Sequence, residues 1–300
     1  KQRHLKALFK LPEQSLRYPE CLLLGDITLS EHDVAGGSFR DVFEGSMVVC
    51  VIAVKMLKVY QTSNMEKILK SFTREAVIWR QLSHPNVLPF DGIFHLGASG
   101  SPKLCLVSPW MKNGNLSDFL SSIAPEIDCV PLALDVAKGL EYLHSQNVLH
   151  ADLKCYRVTF LFPMRAGRLA DFGLSVAKDT NSILMTAASS RGAGGTLAWT
   201  APELLFGDTK SPDEACDVYS FGMVCYEGTG IDEFIPSKML SGYIPFQGNV
   251  AIIFVSQGRR PQRPIDTRSH KRGLTDQIWE LITTCWQQNP EERFTAEQAV

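Results

Sequence analysis

The sequence predicts an α+β chain of two lobes, with strands in its first third and helices through most of the rest. Short apolar and β-branched runs, separated by turn residues, follow one another from Asp26 to Val107 and favour antiparallel strands. Beyond residue 115, apolar residues recur at intervals of three and four, which is typical of helices. We therefore expect a small five-stranded antiparallel N-lobe with one main helix, followed by a larger, mainly helical C-lobe.

The elements of the first lobe follow in order along the chain. Its strands are predicted at 27–29, 41–44, 49–57, 87–94 and 104–107. The main helix is predicted from apolar residues that share one face: Met65, Ile68, Leu69, Phe72, Ala76 and Trp79. Glu75 lies just off that face. Pro85 ends the helix, because a proline pushes the preceding His84 away from α geometry.

The strand pattern breaks at 109–114, which we interpret as a hinge. The predicted organisation is an N-terminal extension (1–25) and one domain (26–300), with its N-lobe at 26–108 and its C-lobe at 115–300. Helices of the C-lobe are predicted from near Pro131 and at 217–226, 277–287 and 296–300. The segment 217–226 is apolar on nearly every side, which predicts a helix through the middle of the lobe.

Composition excludes several classes of function. The 30 basic and 32 acidic residues give a net charge of −2, so nothing favours nucleic acid or an anionic membrane as a partner. No apolar run approaches the ~20 residues of a membrane span. The eight cysteines form no C-x-x-C pair, and several lie in apolar segments. We therefore expect free thiols in a cytoplasmic, reducing compartment rather than disulfides or zinc.

Two acids carry the strongest chemical signal. Asp152 lies in His-Ala-Asp-Leu-Lys, and Asp171 opens Asp-Phe-Gly about twenty residues later. This spacing is typical of a phosphoryl-transfer site. The first acid would take a proton from an attacking hydroxyl, and the second would hold the magnesium that bridges nucleotide phosphates. Lys55, on a predicted strand, could be a strand-end lysine that extends to solvent. With Glu75 on the next helix, however, it could also present its ammonium to two phosphates.

These residues belong to a longer ordered series, and from Asp26 to Val300 the chain resembles a eukaryotic protein kinase. Lys154, together with the segments 79–86 and 195–199, is similar to tyrosine-kinase-like serine/threonine kinases. Each motif alone is weak, but the whole series in this order is specific. The motifs are a glycine loop at 35–42, Ala53-Val54-Lys55, Glu75, His150 to Lys154, Asp171-Phe172-Gly173, Ala201-Pro202-Glu203, Asp217 to Gly222, Cys285-Trp286 and Asn289 to Arg293.

The resemblance implies ATP and magnesium as cofactors, and a protein substrate or signalling partner. It assigns ATP binding to Lys55, Glu75, Gly37, Val42, Ala53 and Met111. It assigns catalysis to Asp152, Lys154 and Thr196, and the metal to Asp171. It also implies a buried ion pair between Glu203 and Arg293, and contacts from Asp217 that hold the catalytic loop.

The chain departs from the family pattern at the positions that would bind the second metal and the adenine base. Arg157 stands where the family has an asparagine that binds a second metal. A guanidinium has donors only and stays charged, so it cannot coordinate magnesium. Thr159 replaces an apolar residue beneath adenine. The glycine loop keeps only Gly37, with Arg40 at a glycine position.

Two hypotheses follow. The chain is a serine/threonine kinase that moves the γ-phosphoryl of ATP to a protein hydroxyl, or it is a pseudokinase that acts as a protein-interaction or scaffold module. Roughly ten extra residues within 228–240 are long for a connection inside a compact lobe. They are either a surface insertion or translated non-coding sequence, and the latter could also explain the segment 155–164.

Overall fold

The computed structural model describes residues 18–36, 40–48, 50–57, 65–97, 103–122, 127–161, 166–177, 197–207, 211–227, 250–265 and 267–300. The chain divides into two compact units, Lys1–Met111 and Lys112–Val300. None of the helices in these ranges is long and apolar enough to cross a lipid bilayer.

The first unit contains the five-stranded antiparallel sheet and the single long helix that the sequence predicts. Its helix is α1 (Met65–Arg80), which follows the third strand in the chain. The strands hydrogen-bond in the order β1-β2-β3-β5-β4. They are β1 (Ile27–Gly36), β2 (Arg40–Met47), β3 (Cys50–Leu57), β4 (Gly92–Leu96) and β5 (Lys103–Pro109).

The core of this unit lies on one face of the sheet, because side chains alternate between the two faces of a strand. Five buried residues of the central strands form it: Ile52, Val54, Met56, Cys105 and Val107. Ala53 and Lys55 therefore lie on the opposite face of β3 and are only partly buried. This alternation separates the candidate phosphate-binding lysine from the core.

Helix α1 buries the apolar face that the sequence predicts. Phe72, Ala76 and Trp79 are fully buried, and the Trp79 indole N–H donates to the Leu88 carbonyl at 2.6 Å. The helix ends at Arg80, before the proline that was expected to end it. The N–H groups of the next two residues bond three residues back, which tightens the last turn.

The fourth strand is shorter than the prediction of 87–94. It begins at Gly92, and residues 87–90 form a turn and an irregular segment in which the Val87 N–H donates to the His84 carbonyl at 3.1 Å. Val87, Leu88 and Phe90 are buried although they belong to no strand of the five-stranded sheet, and the exposed Pro89 between them has no N–H to give to a strand ladder. The apolar pattern reported burial correctly and strand pairing incorrectly.

The second unit is mainly helical. Its helices are α2 (Leu116–Ser122), α3 (Val130–Ser145), α4 (Pro202–Leu205), α5 (Glu214–Tyr226), α6 (Val250–Ser256), α7 (Thr267–Lys271) and α8 (Asp276–Cys285). Helix α5 is buried from Cys216 to its end, as its apolar pattern predicts. A methyl group on Gly222 would lie 2.9 Å from the Cys285 side chain, so glycine allows α5 and α8 to approach closely.

Two small sheets that the sequence did not reveal lie in this unit. Strand β6 (Val148–Leu149) pairs with β9 (Val176–Ala177), and β7 (Val158–Leu161) pairs with β8 (Ala166–Leu169), both antiparallel. Strands of two to four residues carry too little pattern to be recognised. The helix predicted at 296–300 is a single turn in the structure, in which the Ala299 N–H donates to the Thr295 carbonyl at 3.1 Å and to the Ala296 carbonyl at 3.2 Å.

Candidate active site

A lysine–glutamate pair lies in the first unit. The Lys55 Nζ lies 3.3 Å from Oε1 of Glu75. The Glu75 side chain is fully buried, whereas that of Lys55 is 17% exposed. A buried carboxylate needs a charged or hydrogen-bonding partner. Lys55 supplies this partner, so helix α1 can bury the acid Glu75. The ion pair that the kinase resemblance implies is present.

Three of the other residues assigned to ATP fall within the described chain. Val42 pairs with Lys55 across β2 and β3, and Ala53 pairs with Ser108 of β5. Met111 is buried. Gly37 falls outside the residues that the structure describes.

The loop that carries Asp152 is held in place by Asp217 of α5. The Asp217 carboxylate accepts the N–H of His150 at 2.8 Å and the N–H of Ala151 at 2.8 Å. It also pairs with the ring of His144 at 3.0 Å. Ala151 has φ +63°, in the left-handed region that costs energy for a residue with a side chain. Asp217 thus has the loop-holding contacts that the resemblance implies.

His150 also forms hydrogen bonds that hold this loop. Its ring is completely buried, and its Nε2 lies 3.2 Å from the Ala170 carbonyl. Burial lowers the pKa of His150 below its ordinary value, against the opposing charge of Asp217, so the ring is neutral at pH 7. A neutral ring donates from Nε2, which leaves Nδ1 to accept the Asp152 N–H at 3.4 Å.

Arg157 bridges the two acids on which the prediction of phosphoryl transfer depends. Its Nη2 lies 2.5 Å from Oδ2 of Asp152, and its Nη1 lies 2.5 Å from Oδ2 of Asp171. Nη1 also donates to the Asp171 backbone carbonyl at 3.2 Å. One guanidinium therefore binds both carboxylates directly.

Hydrogen bonds hold the main chain at Arg157. Arg157 closes a 3-10 turn in which its N–H donates to the Lys154 carbonyl at 2.8 Å, and its own carbonyl accepts the Ala170 N–H at 2.8 Å. Asp171 follows directly and adopts φ +66°. The side chain of Arg157 is 17% exposed, so its contacts are partly shielded from water.

Lys154 completes the cluster of charges. Its Nζ lies 3.7 Å from Oδ1 of Asp152. Burial lowers the pKa of Lys154, and the Asp152 carboxylate opposes that shift while Arg157 reinforces it. The lysine and the catalytic acid assigned by the resemblance are thus neighbours.

Magnesium does not fit the residues present. The carboxylate assigned to it, Asp171, is already bound by a cation, and the position of the second ligand carries that cation instead of an oxygen. A guanidinium offers no lone pair to a metal. Thr159 also departs from the expected adenine platform, since its hydroxyl donates to the Arg168 carbonyl across β7 and β8 at 3.3 Å.

Two buried acids secure the surrounding helices. Glu203 forms a two-pronged ion pair with Arg293, at 2.7 and 2.8 Å, as expected. Glu227 was missed: one carboxylate oxygen accepts the Cys155 N–H at 3.1 Å and the Trp199 indole N–H at 3.0 Å. An acid directly after the apolar run of α5 is the sequence signal that could have identified it.

Thr196 and the segment 228–240 lie outside the described ranges.

An antiparallel five-stranded unit with a lysine–glutamate pair, together with a helical unit that holds an acid loop, defines a protein kinase domain. The family model for protein tyrosine and serine/threonine kinases matches residues 28–300, and the chain belongs to this family.

Relatives agree with this assignment. Serine/threonine-protein kinase STY17 of Arabidopsis thaliana is 32% identical over 87% of this chain and 41% of its own length. Serine/threonine/tyrosine-protein kinase HT1 of Arabidopsis thaliana is 30% identical over 86% of the chain and 61% of its own length. Probable serine/threonine-protein kinase drkB of Dictyostelium discoideum is 32% identical over 89% of the chain and 35% of its own length. The chain thus spans less than two thirds of each of these relatives.

Proposed function

We propose that this domain binds ATP and transfers its γ-phosphoryl group slowly to serine or threonine hydroxyls of a protein. The observation that carries the proposal is the ordered loop in which Asp152 lies 3.7 Å from Lys154 and is held through Asp217. The free thiols of all eight cysteines favour a reducing, cytoplasmic setting.

In this proposal each residue has a defined task. Lys55, oriented by Glu75, binds the α- and β-phosphates, while the backbone of Met111 contacts adenine. Val42 and Ala53 line the base, Gly37 covers the phosphates, and Thr196 links the substrate loop to Asp152. As the hydroxyl oxygen bonds to the γ-phosphorus, Asp152 takes its proton, the bond to the bridging oxygen breaks, and ADP leaves. Lys154 neutralises charge on the transferred group.

Transfer is slow because the catalytic acid is occupied. Asp152 must accept a proton from the substrate, and its Oδ2 is engaged by Arg157 at 2.5 Å. A substrate hydroxyl that approaches this oxygen must displace the guanidinium from it. The same contact favours a second candidate function, a pseudokinase that holds nucleotide and acts through protein contacts.

Phosphorylation of a generic protein substrate with radiolabelled ATP, assayed both in magnesium and in EDTA, separates the two. The first function predicts low incorporation that Asp152→Asn abolishes and that Asp276→Asn, a matched change at an exposed helix start, leaves intact. Incorporation that persists in Asp152→Asn would come from a contaminating kinase and would count against the proposal. No incorporation, together with thermal stabilisation by ATP, would establish the pseudokinase instead.

A further inference from the structure

We propose that Arg157 replaces the divalent cation at this site, so that the domain binds a nucleoside triphosphate that carries no magnesium. The inference rests on the nucleotide binding proposed above and specifies the form of the ligand. It concerns Arg157 and the two acids that it joins.

The contacts of Arg157 compete with a metal for both acids. To bind Oδ2 of Asp152 or of Asp171, a metal would have to displace a guanidinium nitrogen that lies at 2.5 Å. A metal beside the guanidinium would also be repelled by its positive charge. Magnesium also loses its water reluctantly and demands near-octahedral oxygen ligands, which this set does not supply.

The charge of the cluster leads to the same conclusion. The two carboxylates of Asp152 and Asp171 are matched by two basic side chains, Lys154 and Arg157. An asparagine at position 157 would leave a net negative site that attracts a dication. The arginine removes that attraction and at the same time removes the repulsion between the acids and a polyphosphate.

The remaining donors of Arg157 suit phosphate. A guanidinium has five N–H groups, and Nη2 has two of them for one carboxylate contact among the described residues. Arginine binds phosphate oxygens through its planar fork, with charge-assisted hydrogen bonds. Because the side chain is partly open to solvent, we expect a phosphate oxygen to accept from the second N–H of Nη2 while both ion pairs are kept.

The test compares ATP affinity with magnesium and with EDTA, by isothermal titration of the whole chain. For the wild type we expect ATP to bind at least as tightly in EDTA as in magnesium, because magnesium removes the metal-free form of the nucleotide. For Arg157→Asn we expect magnesium to tighten ATP binding about tenfold or more, because the metal can then contact the acids that Arg157 no longer binds. Arg263→Asn removes an arginine from an ion pair with an exposed aspartate and should behave as the wild type does.

Electron paramagnetic resonance of Mn²⁺ gives a readout independent of activity. Bound manganese should appear with Arg157→Asn and ATP, and not with the wild type beyond what ATP alone binds. Wild-type binding of ATP that requires magnesium would overturn this inference and leave the proposed function intact. No binding of ATP under either condition would overturn both.

Discussion

The Asp217 carboxylate accepts the backbone N–H of His150 at 2.8 Å, across 67 residues of sequence. This contact ties the loop that carries the catalytic acid to the most deeply buried helix of the unit. Because Ala151, the next residue, has φ +63°, the loop adopts a conformation that it would not hold alone.

Asp217→Asn should lower the free energy of unfolding by about 3 kcal/mol, because an amide brings two donors to a place where backbone N–H groups need acceptors. Urea denaturation followed by tryptophan fluorescence measures this loss. Asp276→Asn is the matched control and should change the value by less than about 0.5 kcal/mol. Equal stabilities for the two variants would show that the loop does not depend on Asp217.

Arg293→Met should destabilise the protein by about 3–5 kcal/mol, because it leaves the Glu203 carboxylate buried without its cation. The Arg293 guanidinium makes ion pairs at 2.7 and 2.8 Å there. Arg263→Met, at the exposed pair with Asp276, should cost less than about 1 kcal/mol. Chemical denaturation of both variants gives the comparison, and a cost at Arg293 as small as at Arg263 would contradict the prediction.

The stability of the protein should fall as the pH drops below about 6.5, because His150 is held neutral by burial. The pKa of His150 in the folded state lies below the ordinary 6.5, so the unfolded chain binds a proton more readily than the folded chain does. Acid therefore stabilises the unfolded state relative to the folded state. Denaturation curves at several pH values between 7.5 and 5 should show this slope. With His150→Phe the slope should be shallower, and an unchanged slope would assign it to other groups.

Lys55→Met should weaken ATP binding about tenfold to a hundredfold, since hydrogen bonds to charged groups contribute about 1.5–3 kcal/mol. Isothermal titration measures the affinity, and circular dichroism checks that the variant is folded. Lys70→Met removes a lysine from an exposed ion pair with Glu66, one turn away on helix α1, and should leave the ATP affinity unchanged. Equal affinities for both variants would exclude Lys55 from the phosphate site.

Much of the fold was predictable because long, strongly patterned segments carry their own signal. The alternating strand β3 and the apolar helix α5 were placed within about three residues of their observed bounds. Only the last three residues of the run at 87–94 belong to a strand, because apolar character indicates burial and does not say which backbone groups pair. The short sheets around the catalytic loop left no pattern, since two-residue strands form only when distant segments are already adjacent.

The candidate site was predictable in its residue types and not in its contacts. The order of motifs placed Lys55 with Glu75 and Asp152 near Lys154, and both neighbours are found. The sequence identifies Arg157 as a departure that cannot coordinate magnesium, but the contact of its guanidinium with both acids depends on the folded chain. Glu227 was missed because its partners, Cys155 and Trp199, are 72 and 28 residues away.

By itself the sequence determined the class of the protein, the division into strands and helices, and the chemical identity of the charged groups. These properties are local, because they depend on side-chain type and on spacing of a few residues. Only the tertiary structure decided that one guanidinium joins Asp152 to Asp171, and that a buried carboxylate holds their loop. Ion pairs depend on distances of a few ångströms between segments that packing brings together, and those distances belong to the folded chain alone.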